Sequence, residues 1–338
     1  MKKLYAISGV SGMTGSELVH QILMKENNAD VILGFDNFYA SSIDTVSAYL
    51  ENECFTFFEY DINNKQQMAD FENLIREKKG DFDEIIYINC AAVVHTEHFY
   101  NVYETFDTNV IAMNDFLQQA IDVGADIFIN CSTSEVYSME SWNTEGGVRE
   151  DAYLKIAHAE HSQRTSYAVG KLLTEFFMMD AVKHNKILGC SIRFANVYSK
   201  NEKYAKHIIP LIINSLIKDG SVTLLENSKK NRRTFLNNFD SCSAVLALID
   251  SREALDGSVY NVATDEEITI LDLVKLCGEK LGISNPKVIF EGYRESDPER
   301  RVLSTEKIRQ RTSWVPKINL SRGLDECIEN YSENESII

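Results

Sequence analysis

Short apolar runs alternate with amphipathic helical patterns from the start of the chain to Phe194. This alternation predicts parallel strands joined by crossover helices, which is a doubly wound α/β sheet. The strand candidates are Tyr5–Ser8, Val31–Phe35, Phe55–Tyr60, Ile85–Asn89, Ile127–Cys131 and Gly189–Phe194. The helical patterns are Ser16–Lys25, Lys65–Lys78, Tyr103–Val123 and Ser166–His184. Right-handed crossovers bring the carboxyl ends of these strands, and with them a ligand site, to one edge of the sheet.

The first strand runs into a glycine-rich turn, Gly9-Val-Ser-Gly12-Met-Thr-Gly15, that opens the first helix. Strand, glycine turn and helix in this order are typical of a dinucleotide site, where the pyrophosphate lies on the helix N-terminus. Asp36 follows the second strand, about 20 residues beyond the glycines. A carboxylate there accepts hydrogen bonds from the adenosine ribose and repels a 2′-phosphate, so the pattern favours NAD over NADP.

After Asn196 the pattern loosens, and the elements become shorter. The helical patterns here are His207–Lys218, Asp240–Leu248, Ile270–Leu281 and Leu320–Tyr331, and the strand candidates are Thr223–Leu225 and Val259–Asn261 with a basic turn between them. We therefore expect a Rossmann domain formed by residues 1–197 together with 234–258. Residues 198–233 and 259–338 would form a smaller C-terminal α/β domain that binds the substrate.

Composition excludes several classes of partner. The net charge of −17 argues against nucleic acid or an anionic membrane as the main partner. The sequence carries no signal-peptide pattern and no apolar stretch of about 18 residues, so we expect a cytoplasmic protein. Its seven cysteines include no C-x-x-C spacing, and Cys90, Cys131 and Cys190 lie in or beside apolar runs, where reduced thiols are expected. The histidines form no recognisable ligand set, so no metal is expected.

Tyr167 and Lys171 are four residues apart on a predicted helix, so both side chains share one face. An ammonium beside a phenol lowers the phenol pKa from about 10 toward neutrality. A tyrosine tuned in this way can take a proton from a substrate hydroxyl while a hydride leaves for a nicotinamide ring. Taken alone, the two residues could equally be an exposed pair on a helix surface.

A second cluster, Cys131-Ser-Thr-Ser-Glu-Val-Tyr137, follows a predicted strand directly. Hydroxyls at the carboxyl end of a parallel strand lie where ligands bind, and the Glu135 carboxylate could move a carbon-bound proton next to a carbonyl. A polar turn with a helix cap is the alternative. The joint occurrence of both clusters in this order favours catalysis. The candidate catalytic residues are Thr133, Ser134, Glu135, Tyr167 and Lys171.

With these residues the chain resembles the extended short-chain dehydrogenases/reductases, specifically the NAD-dependent nucleotide-sugar epimerase/dehydratase family, over nearly its whole length. The motifs in family order, besides the glycine turn, are Asp36-Asn37, Asp61-Ile62, Cys90-Ala91-Ala92, Thr108-Asn109-Val110, Ser132–Tyr137, Tyr167–Lys171, Arg193–Tyr198, Arg233-Thr-Phe235, Asp297–Arg301 and Ser313–Pro316. The resemblance implies a Rossmann fold, bound NAD and a nucleotide-sugar substrate.

The resemblance also implies roles for individual residues. Those implied in cofactor binding are Gly9, Gly12, Met13, Thr14, Gly15, Asp36, Asn37, Asp61, Ile62, Ala91, Ala92, Tyr167 and Lys171. Those implied in substrate binding are His95, Thr133, Asn196, Arg233 and Arg301. Arginine suits a diphosphate because its fork meets phosphate oxygens in pairs. Solvated charge is the alternative for the four arginines at 232, 233, 300 and 301.

Members of this family begin by oxidising the sugar C4 hydroxyl to a ketone, and the following step differs between them. The triplet Thr133-Ser134-Glu135 resembles that of 4,6-dehydratases and of UDP-glucuronate decarboxylases, and Glu135 could supply the base that removes the C5 proton. We therefore expect an NDP-hexose 4,6-dehydratase. A 4-epimerase and a uronate decarboxylase stay open as alternatives, and a net sugar-nucleotide dehydrogenase or reductase, or a non-catalytic NAD-sensing protein, is less favoured.

The expected substrate is a UDP-, GDP-, dTDP- or CDP-linked sugar, and the resemblance implies a homodimer formed through a four-helix bundle. The two helices concerned carry the apolar residues Phe116, Leu117, Leu172, Leu173, Phe176 and Phe177. The alternative is that these side chains cover the protein's own sheet, which the sequence alone does not decide.

Overall fold

Seven parallel strands form the central sheet of the computed structural model, which describes residues 1–25, 29–94, 100–137, 146–159, 164–202, 204–295 and 297–333. The strands of the chain are β1 (Lys3–Ser8), β2 (Val31–Asp36), β3 (Phe55–Glu59), β4 (Glu84–Asn89), β5 (Ile127–Thr133), β6 (Leu188–Phe194), β7 (Asn196–Tyr198), β8 (Ser221–Leu224), β9 (Arg232–Asn237), β10 (Asp256–Val262), β11 (Glu267–Thr269), β12 (Lys287–Phe290) and β13 (Arg300–Arg301). The central sheet has the order β10-β6-β5-β4-β1-β2-β3. The predicted doubly wound fold is therefore confirmed.

Both faces of this sheet are buried. In β1, Leu4 and Ala6 belong to one apolar core, whereas Tyr5 and Ile7 belong to another on the opposite face. Successive side chains of a strand point to opposite faces, so continuous apolar runs are what a sheet covered on both sides requires. This explains why the strand candidates read as unbroken apolar runs instead of alternating ones.

Helices cover the two faces and build the smaller lobe. They are α1 (Met13–Leu23), α2 (Lys65–Lys78), α3 (Val102–Phe106), α4 (Met113–Val123), α5 (Arg164–Lys183), α6 (Ile208–Asp219), α7 (Asn238–Ile249), α8 (Ile270–Lys280), α9 (Glu306–Thr312) and α10 (Leu320–Glu333). A π-helical turn, Asp107–Ala112, joins α3 to α4. Within the described ranges, no helix combines the length and the apolar character needed to cross a bilayer.

The smaller lobe contains β7, β9, β11 and β13 in one sheet, β8 and β12 in a two-stranded pair, and its own apolar core around α6 and α8. The predicted basic turn lies at residues 226–230, and the arginines that follow it begin strand β9. Five of its six residues are buried, and it pairs with three other strands. Strand β10 pairs with β6 in the central sheet as far as Val262, so the expected boundary at residue 258 falls inside a strand.

The apolar residues weighed for a helix bundle divide into two groups. Phe116 and Leu117 are buried in the protein's own core, and Phe177 packs against the same core. Leu172 is partly buried against a smaller cluster. Leu173 and Phe176 are exposed. The packed residues therefore stabilise the fold of the single chain, whereas Leu173 and Phe176 are accessible on the surface.

Candidate active site

A cavity of 970 Å³ opens at the carboxyl ends of the central strands, where α1, α5 and the β4 exit meet. This volume lies near the upper end of the range for small-molecule sites, about 300–1,000 Å³. All of the residues predicted to bind the cofactor line it: Gly9, Gly12, Met13, Thr14, Gly15, Asp36, Asn37, Asp61, Ile62, Ala91, Ala92, Tyr167 and Lys171. Thr133 lines it as well.

The glycine turn fits tightly between β1 and β4. Gly9 has a φ of +66°, and a Cβ on it would lie 2.6 Å from the Ala91 amide nitrogen. A Cβ on Gly15 would lie 2.3 Å from the Gly9 carbonyl oxygen. Helix α1 begins with Gly12 as its N-cap, so within the described part of the chain it has no side-chain cap. Since the first amides of α1 face an open cavity at the positive end of a helix, the turn suits an anionic pyrophosphate.

Two further groups in the cavity suit a dinucleotide. The Ser11 hydroxyl is buried and makes no hydrogen bond within the described part of the chain. The Asp36 carboxylate is buried and accepts hydrogen bonds from the Ser11 amide at 3.0 Å, the Phe38 amide at 2.8 Å and the Ser41 hydroxyl at 2.9 Å. A carboxylate has about four acceptor sites, so one is left for a ribose hydroxyl.

The exit of β4 is fixed by the π-helical turn. The Asn109 side chain accepts a hydrogen bond from the Val93 amide at 2.7 Å and donates one to the Val93 carbonyl at 3.0 Å. This pair of bonds sets the path of the backbone at Ala91 and Ala92, which lines the cavity. The position of a π-helical turn beside a functional cavity is common in proteins.

Tyr167, Lys171 and Thr133 meet at the inner end of the cavity. Helix α5 presents Tyr167 and Lys171 on one face, and both are buried. The Tyr167 hydroxyl lies within hydrogen-bonding reach of Thr133, and the Lys171 ammonium donates to the Cys131 carbonyl at 2.9 Å. The structure thus brings together the phenol, the ammonium and the strand-end hydroxyl that the sequence placed far apart.

The expectation that Lys171 lowers the pKa of Tyr167 is wrong for this structure. Burial raises the pKa of the Tyr167 phenol, the negative charge of Glu135 raises it further, and the hydrogen bond with Thr133 offsets this only in part. Burial also lowers the pKa of Lys171, whose ammonium donates to the Cys131 carbonyl. The phenol is therefore held more firmly in its protonated form than a tyrosine in water.

A buried ion pair supports the end of β5. The Arg193 guanidinium donates to both oxygens of Glu175, at 2.9 and 2.6 Å, and the Ser132 hydroxyl donates to the same carboxylate at 2.6 Å. Glu175 follows Lys171 by four residues, so it continues the helix face that carries Tyr167. Our sequence reasoning missed Glu175, although this i, i+4 continuation was a signal that could have identified it.

Glu135 lies in a cluster of arginines. The Arg301 guanidinium donates to both of its oxygens, with Nη2 at 3.2 Å from Oε2, and Arg164 lies 3.3 Å away. Burial would raise the pKa of Glu135, but Arg301, Arg164 and Arg233 together hold it at about 2. Glu135, expected as a base, and Arg301, expected at the diphosphate, are thus paired with each other. Neither lines the cavity.

Arg233 belongs to the same cluster from the other side. It donates to Asp297 at 3.0 Å, and burial together with the nearby Arg301 lowers its pKa to about 10. Burial and the charge of Arg164 likewise lower the pKa of Arg294. Sequence reasoning missed Arg164 and Arg294. Arg164 lies one helical turn before Tyr167, which was a usable signal, whereas Arg294 carried none.

Within each of the arginine pairs 232–233 and 300–301, the two side chains point in opposite directions. Strands β9 and β13 are parallel, with Arg300 opposite Arg232 and Arg301 opposite Arg233. Arg232 and Arg300 both donate to Glu267 at 2.8 Å and are partly exposed. Because side chains alternate along a strand, the other two face Glu135 inside the molecule. Solvated charge, one of the two interpretations weighed for these arginines, therefore fits Arg232 and Arg300, whereas Arg233 and Arg301 are buried.

Two predicted site residues, Ser134 and Asn196, have side chains outside the cavity lining. Ser134 is buried in a short 3₁₀ turn, and the Asn196 amide donates to the Thr234 carbonyl at 3.3 Å. His95, expected at the substrate, lies outside the described residues.

Comparison with known proteins decides the family. The family model described as GDP-mannose 4,6 dehydratase matches residues 6–327. The chain belongs to this family. Members are NAD-dependent nucleotide-sugar dehydratases and epimerases of the extended short-chain dehydrogenase/reductase type, as the motifs indicated, so the chain is an enzyme of this type. The reactions represented among its relatives include 4,6-dehydration, decarboxylation and 4-epimerisation.

The individual relatives of this member of the GDP-mannose 4,6-dehydratase family are distant in sequence. The low-salt glycan biosynthesis protein Agl12 of Haloferax volcanii is 25% identical over 96% of this chain and 97% of its own length. UDP-glucuronic acid decarboxylase 4 of Arabidopsis thaliana is 24% identical over 97% of this chain and 68% of its own length. The crystal structure of DesIV, a dTDP-glucose 4,6-dehydratase from Streptomyces venezuelae solved with NAD bound, has a TM-score of 0.84 at 22% identity, with both chains fully covered. That likeness establishes the fold.

Proposed function

We propose that this protein is an NAD-dependent NDP-hexose 4,6-dehydratase that works through a 4-keto sugar. The observation that carries the proposal is the meeting of Tyr167, Thr133 and Lys171 in the cavity, with Glu135 close enough to influence the phenol. A hydroxyl, a phenol and an ammonium at this point suit alcohol oxidation. The nearby carboxylate adds the base that a dehydration needs and a simple epimerisation does not.

In this proposal Tyr167 takes the proton from the sugar C4 hydroxyl, which Thr133 holds by a hydrogen bond. NAD, when bound, supplies the acceptor for the hydride that leaves C4 and the positive charge of its oxidised ring. Lys171 keeps its ammonium against the Cys131 carbonyl, which ties the helix face that carries Tyr167 to the end of β5. Glu175 and Arg193 act indirectly. Glu175, held by Arg193, accepts a hydrogen bond from Ser132 and so positions the end of β5, which carries Thr133.

Glu135 removes the C5 proton in the proposed second step. With a pKa of about 2 it is an anion at neutral pH, but its pairing with Arg301 makes it a weak base. A nucleotide diphosphate that binds Arg301 and Arg164 would compete for these guanidinium groups and raise the basicity of Glu135. Substrate binding would therefore activate the base that acts on the substrate.

The diphosphate site we propose is the arginine cluster beside Tyr167. Arg164, Arg233, Arg294 and Arg301 approach the two carboxylates of Glu135 and Asp297, so this set carries more positive than negative charge. Arginine forks bind phosphate oxygens in pairs and stay charged when buried. An excess of positive charge in a protein with a net charge of −17 points to an anionic substrate.

One experiment tests the reaction class. The purified protein is incubated with UDP-, GDP-, dTDP- and CDP-sugars in deuterated buffer and followed by NMR. We expect deuterium at C5 together with a new C6 methyl group, which is the signature of dehydration. Loss of C6 as carbon dioxide would establish decarboxylation instead, and inversion at C4 without deuterium would establish epimerisation.

Asp36 is the proposed determinant of cofactor choice. We expect Asp36→Asn to weaken NAD binding by about ten- to a hundredfold, because a hydrogen bond to a charged group contributes about 1.5–3 kcal/mol. The affinity ratio of NAD to NADP should fall as well. Calorimetric titration with both dinucleotides measures this, with Asp250→Asn on the surface as control. An unchanged ratio of the two affinities would show that another residue sets the choice.

We propose a homodimer formed by α3, the π-helical turn and α5. These elements pack side by side and expose a row of apolar side chains: Val102, Tyr103, Phe106, Ile111, Val169, Leu173 and Phe176. Contiguous apolar patches of this kind are typical of protein interfaces. Two copies of the pair would give the four-helix arrangement expected from the resemblance.

The dimer makes a direct prediction. Phe176→Glu places a charge on the proposed face and should convert the dimer to a monomer, as measured by sedimentation or light scattering. Val315→Glu, which changes a similarly exposed apolar residue in a loop, should leave the association unchanged. A dimer that persists in the Phe176 variant would place the interface elsewhere.

We propose a cytoplasmic location for the protein. Its seven cysteines are free thiols, which is the state expected in a reducing compartment such as the cytoplasm.

A further inference from the structure

Two thiols lie side by side at the floor of the cavity. Cys90 directly follows β4, and Cys131 lies in the adjacent strand β5. The residues before them, Asn89 and Asn130, are register partners, so the two cysteines occupy matching positions at neighbouring strand ends. Their Sγ atoms are 3.8 Å apart, and both side chains are partly exposed and line the cavity.

The geometry suits a disulfide. A disulfide needs Cβ atoms about 3.5–4.5 Å apart and a sulfur–sulfur bond of about 2.05 Å. Neighbouring parallel strands lie about 4.8 Å apart, so residues at matching positions already lie near the required separation. Closing the 3.8 Å gap between the sulfurs therefore needs side-chain rotation and a small shift of the β4 exit.

The two thiols differ in reactivity. The hydrogen bond between the thiols and the positive charge of Lys171 lower the pKa of Cys131, whereas the same hydrogen bond and burial raise the pKa of Cys90. A thiolate is the nucleophile in oxidation and in disulfide exchange. The contact between the two sulfurs at 3.8 Å allows either one to resolve an oxidised partner, and the nearby Lys171 charge favours a thiolate at Cys131.

We infer that Cys90 and Cys131 form an oxidation site in the floor of the cofactor cavity. Hydrogen peroxide converts these two thiols to a disulfide when no dinucleotide occupies the cavity. One thiol gives up its proton and attacks a peroxide oxygen, the O–O bond breaks, and the departing hydroxide takes up that proton, so a sulfenic acid and one water form. The second sulfur then attacks the sulfenic sulfur, the S–O bond breaks, and the hydroxide leaves with the second thiol's proton as another water. The two thiols lose two electrons, and the peroxide gains them.

The disulfide would disturb the site on both sides. Next to Cys90, the Ala91 amide donates to the Ser8 hydroxyl at 3.2 Å and packs against Gly9. On the other strand, the Cys131 carbonyl accepts the hydrogen bond from Lys171. Drawing the strand ends together displaces the glycine turn and the ammonium, so NAD affinity and turnover should fall together. This consequence, unlike disulfide formation itself, rests on the proposed function.

The remaining cysteines differ in their surroundings. Cys190 and Cys242 are fully buried in the core beneath the sheet, and Cys277 and Cys327 are buried in the core of the smaller lobe. Cys54 is partly exposed but is not among the cavity-lining residues, so it offers a matched control.

The test uses the full chain freed of NAD and treated with hydrogen peroxide. We expect two fewer free thiols than the seven of the reduced chain, and a peptide in which Cys90 and Cys131 are linked, identified by mass spectrometry without reduction. Dithiothreitol should restore both thiols. Retention of all seven thiols, or oxidation of Cys131 without a link to Cys90, would overturn the inference.

Two further experiments distinguish a failure of this inference from a failure of the proposed function. Cys90→Ser and Cys131→Ser should each abolish the linked peptide, and Cys54→Ser should leave it unchanged. Saturating NAD should protect the pair, and the disulfide should raise the Kd for NAD by about tenfold. A disulfide that forms at an undiminished rate with NAD present would leave the oxidation site standing and count against the proposed position of the cofactor.

Discussion

Replacement of Tyr167 by phenylalanine is expected to lower turnover by about 10²–10⁴-fold, the usual contribution of a positioned acid or base, while NAD stays bound. The ring fills the same buried volume, and Lys171 keeps its hydrogen bond to the Cys131 carbonyl, so the cavity should persist. What is lost is the hydroxyl that contacts Thr133 and receives the proton from the sugar. Steady-state turnover and calorimetric NAD binding measure the two effects separately.

A matched control is Tyr153→Phe, which removes a hydroxyl from a side chain that is 91% exposed and outside the cavity lining. It should leave turnover and NAD affinity unchanged. Near-normal turnover in the Tyr167 variant would remove this phenol from the mechanism, and loss of NAD binding in it would show a structural role instead.

Replacement of Glu135 by glutamine should separate the oxidation step from the later steps. Glutamine has the same shape but carries no charge and cannot take up the C5 proton. We expect exchange of deuterium into C5 to fall by about 10²–10⁴-fold, whereas the absorbance of reduced nicotinamide still rises when the sugar nucleotide is added. If the variant instead forms its product at a normal rate, a 4-epimerase becomes the better account.

The same substitution has a predicted effect on stability. Removing the partner of the buried Arg301 should cost about 3 kcal/mol of unfolding free energy, as measured by denaturant titration. The control is Glu267→Gln, because Glu267 also pairs with two arginines of β9 and β13 but at the surface. We expect that exposed network to contribute less than about 1 kcal/mol.

The pH dependence follows from the depressed pKa of Glu135. The folded-state pKa of about 2 lies below the usual value of 4.5, so the folded protein holds this proton less tightly than the unfolded chain. The stabilisation is therefore fully present above pH 4.5 and is lost as the pH falls toward 2. In the Glu135→Gln variant this part of the acid transition should disappear.

The central sheet could be predicted because its signal is local. Runs such as Ile85–Asn89 and Ile127–Cys131 are apolar, short and bounded by polar turns, and the structure extends them by only one or two residues. The smaller lobe was harder. Strand β9 begins with two arginines, and it is a strand because it pairs with other strands on both sides, which no local pattern reports.

The residues proposed to bind the cofactor, all of which line the cavity, were predicted from the glycine spacing and the family resemblance, whereas the charged cluster was not predicted. Glu135 and Arg301 are separated by 166 residues, and only their contact reveals that a predicted base and a predicted phosphate ligand pair with each other. The direction of the Tyr167 pKa shift was missed for the same reason. It depends on burial and on the charge of Glu135, neither of which is encoded by the four-residue spacing to Lys171.

By itself, the sequence determined the doubly wound sheet, the dinucleotide turn and the family, because each depends on periodicity or on residues close together along the chain. Tertiary structure alone decided which arginines face inward, where Glu135 finds its charge partners, and that Cys90 and Cys131 lie in contact. Hydrogen bonds and charges act over a few ångströms in space, and folding brings together side chains that the chain order keeps apart.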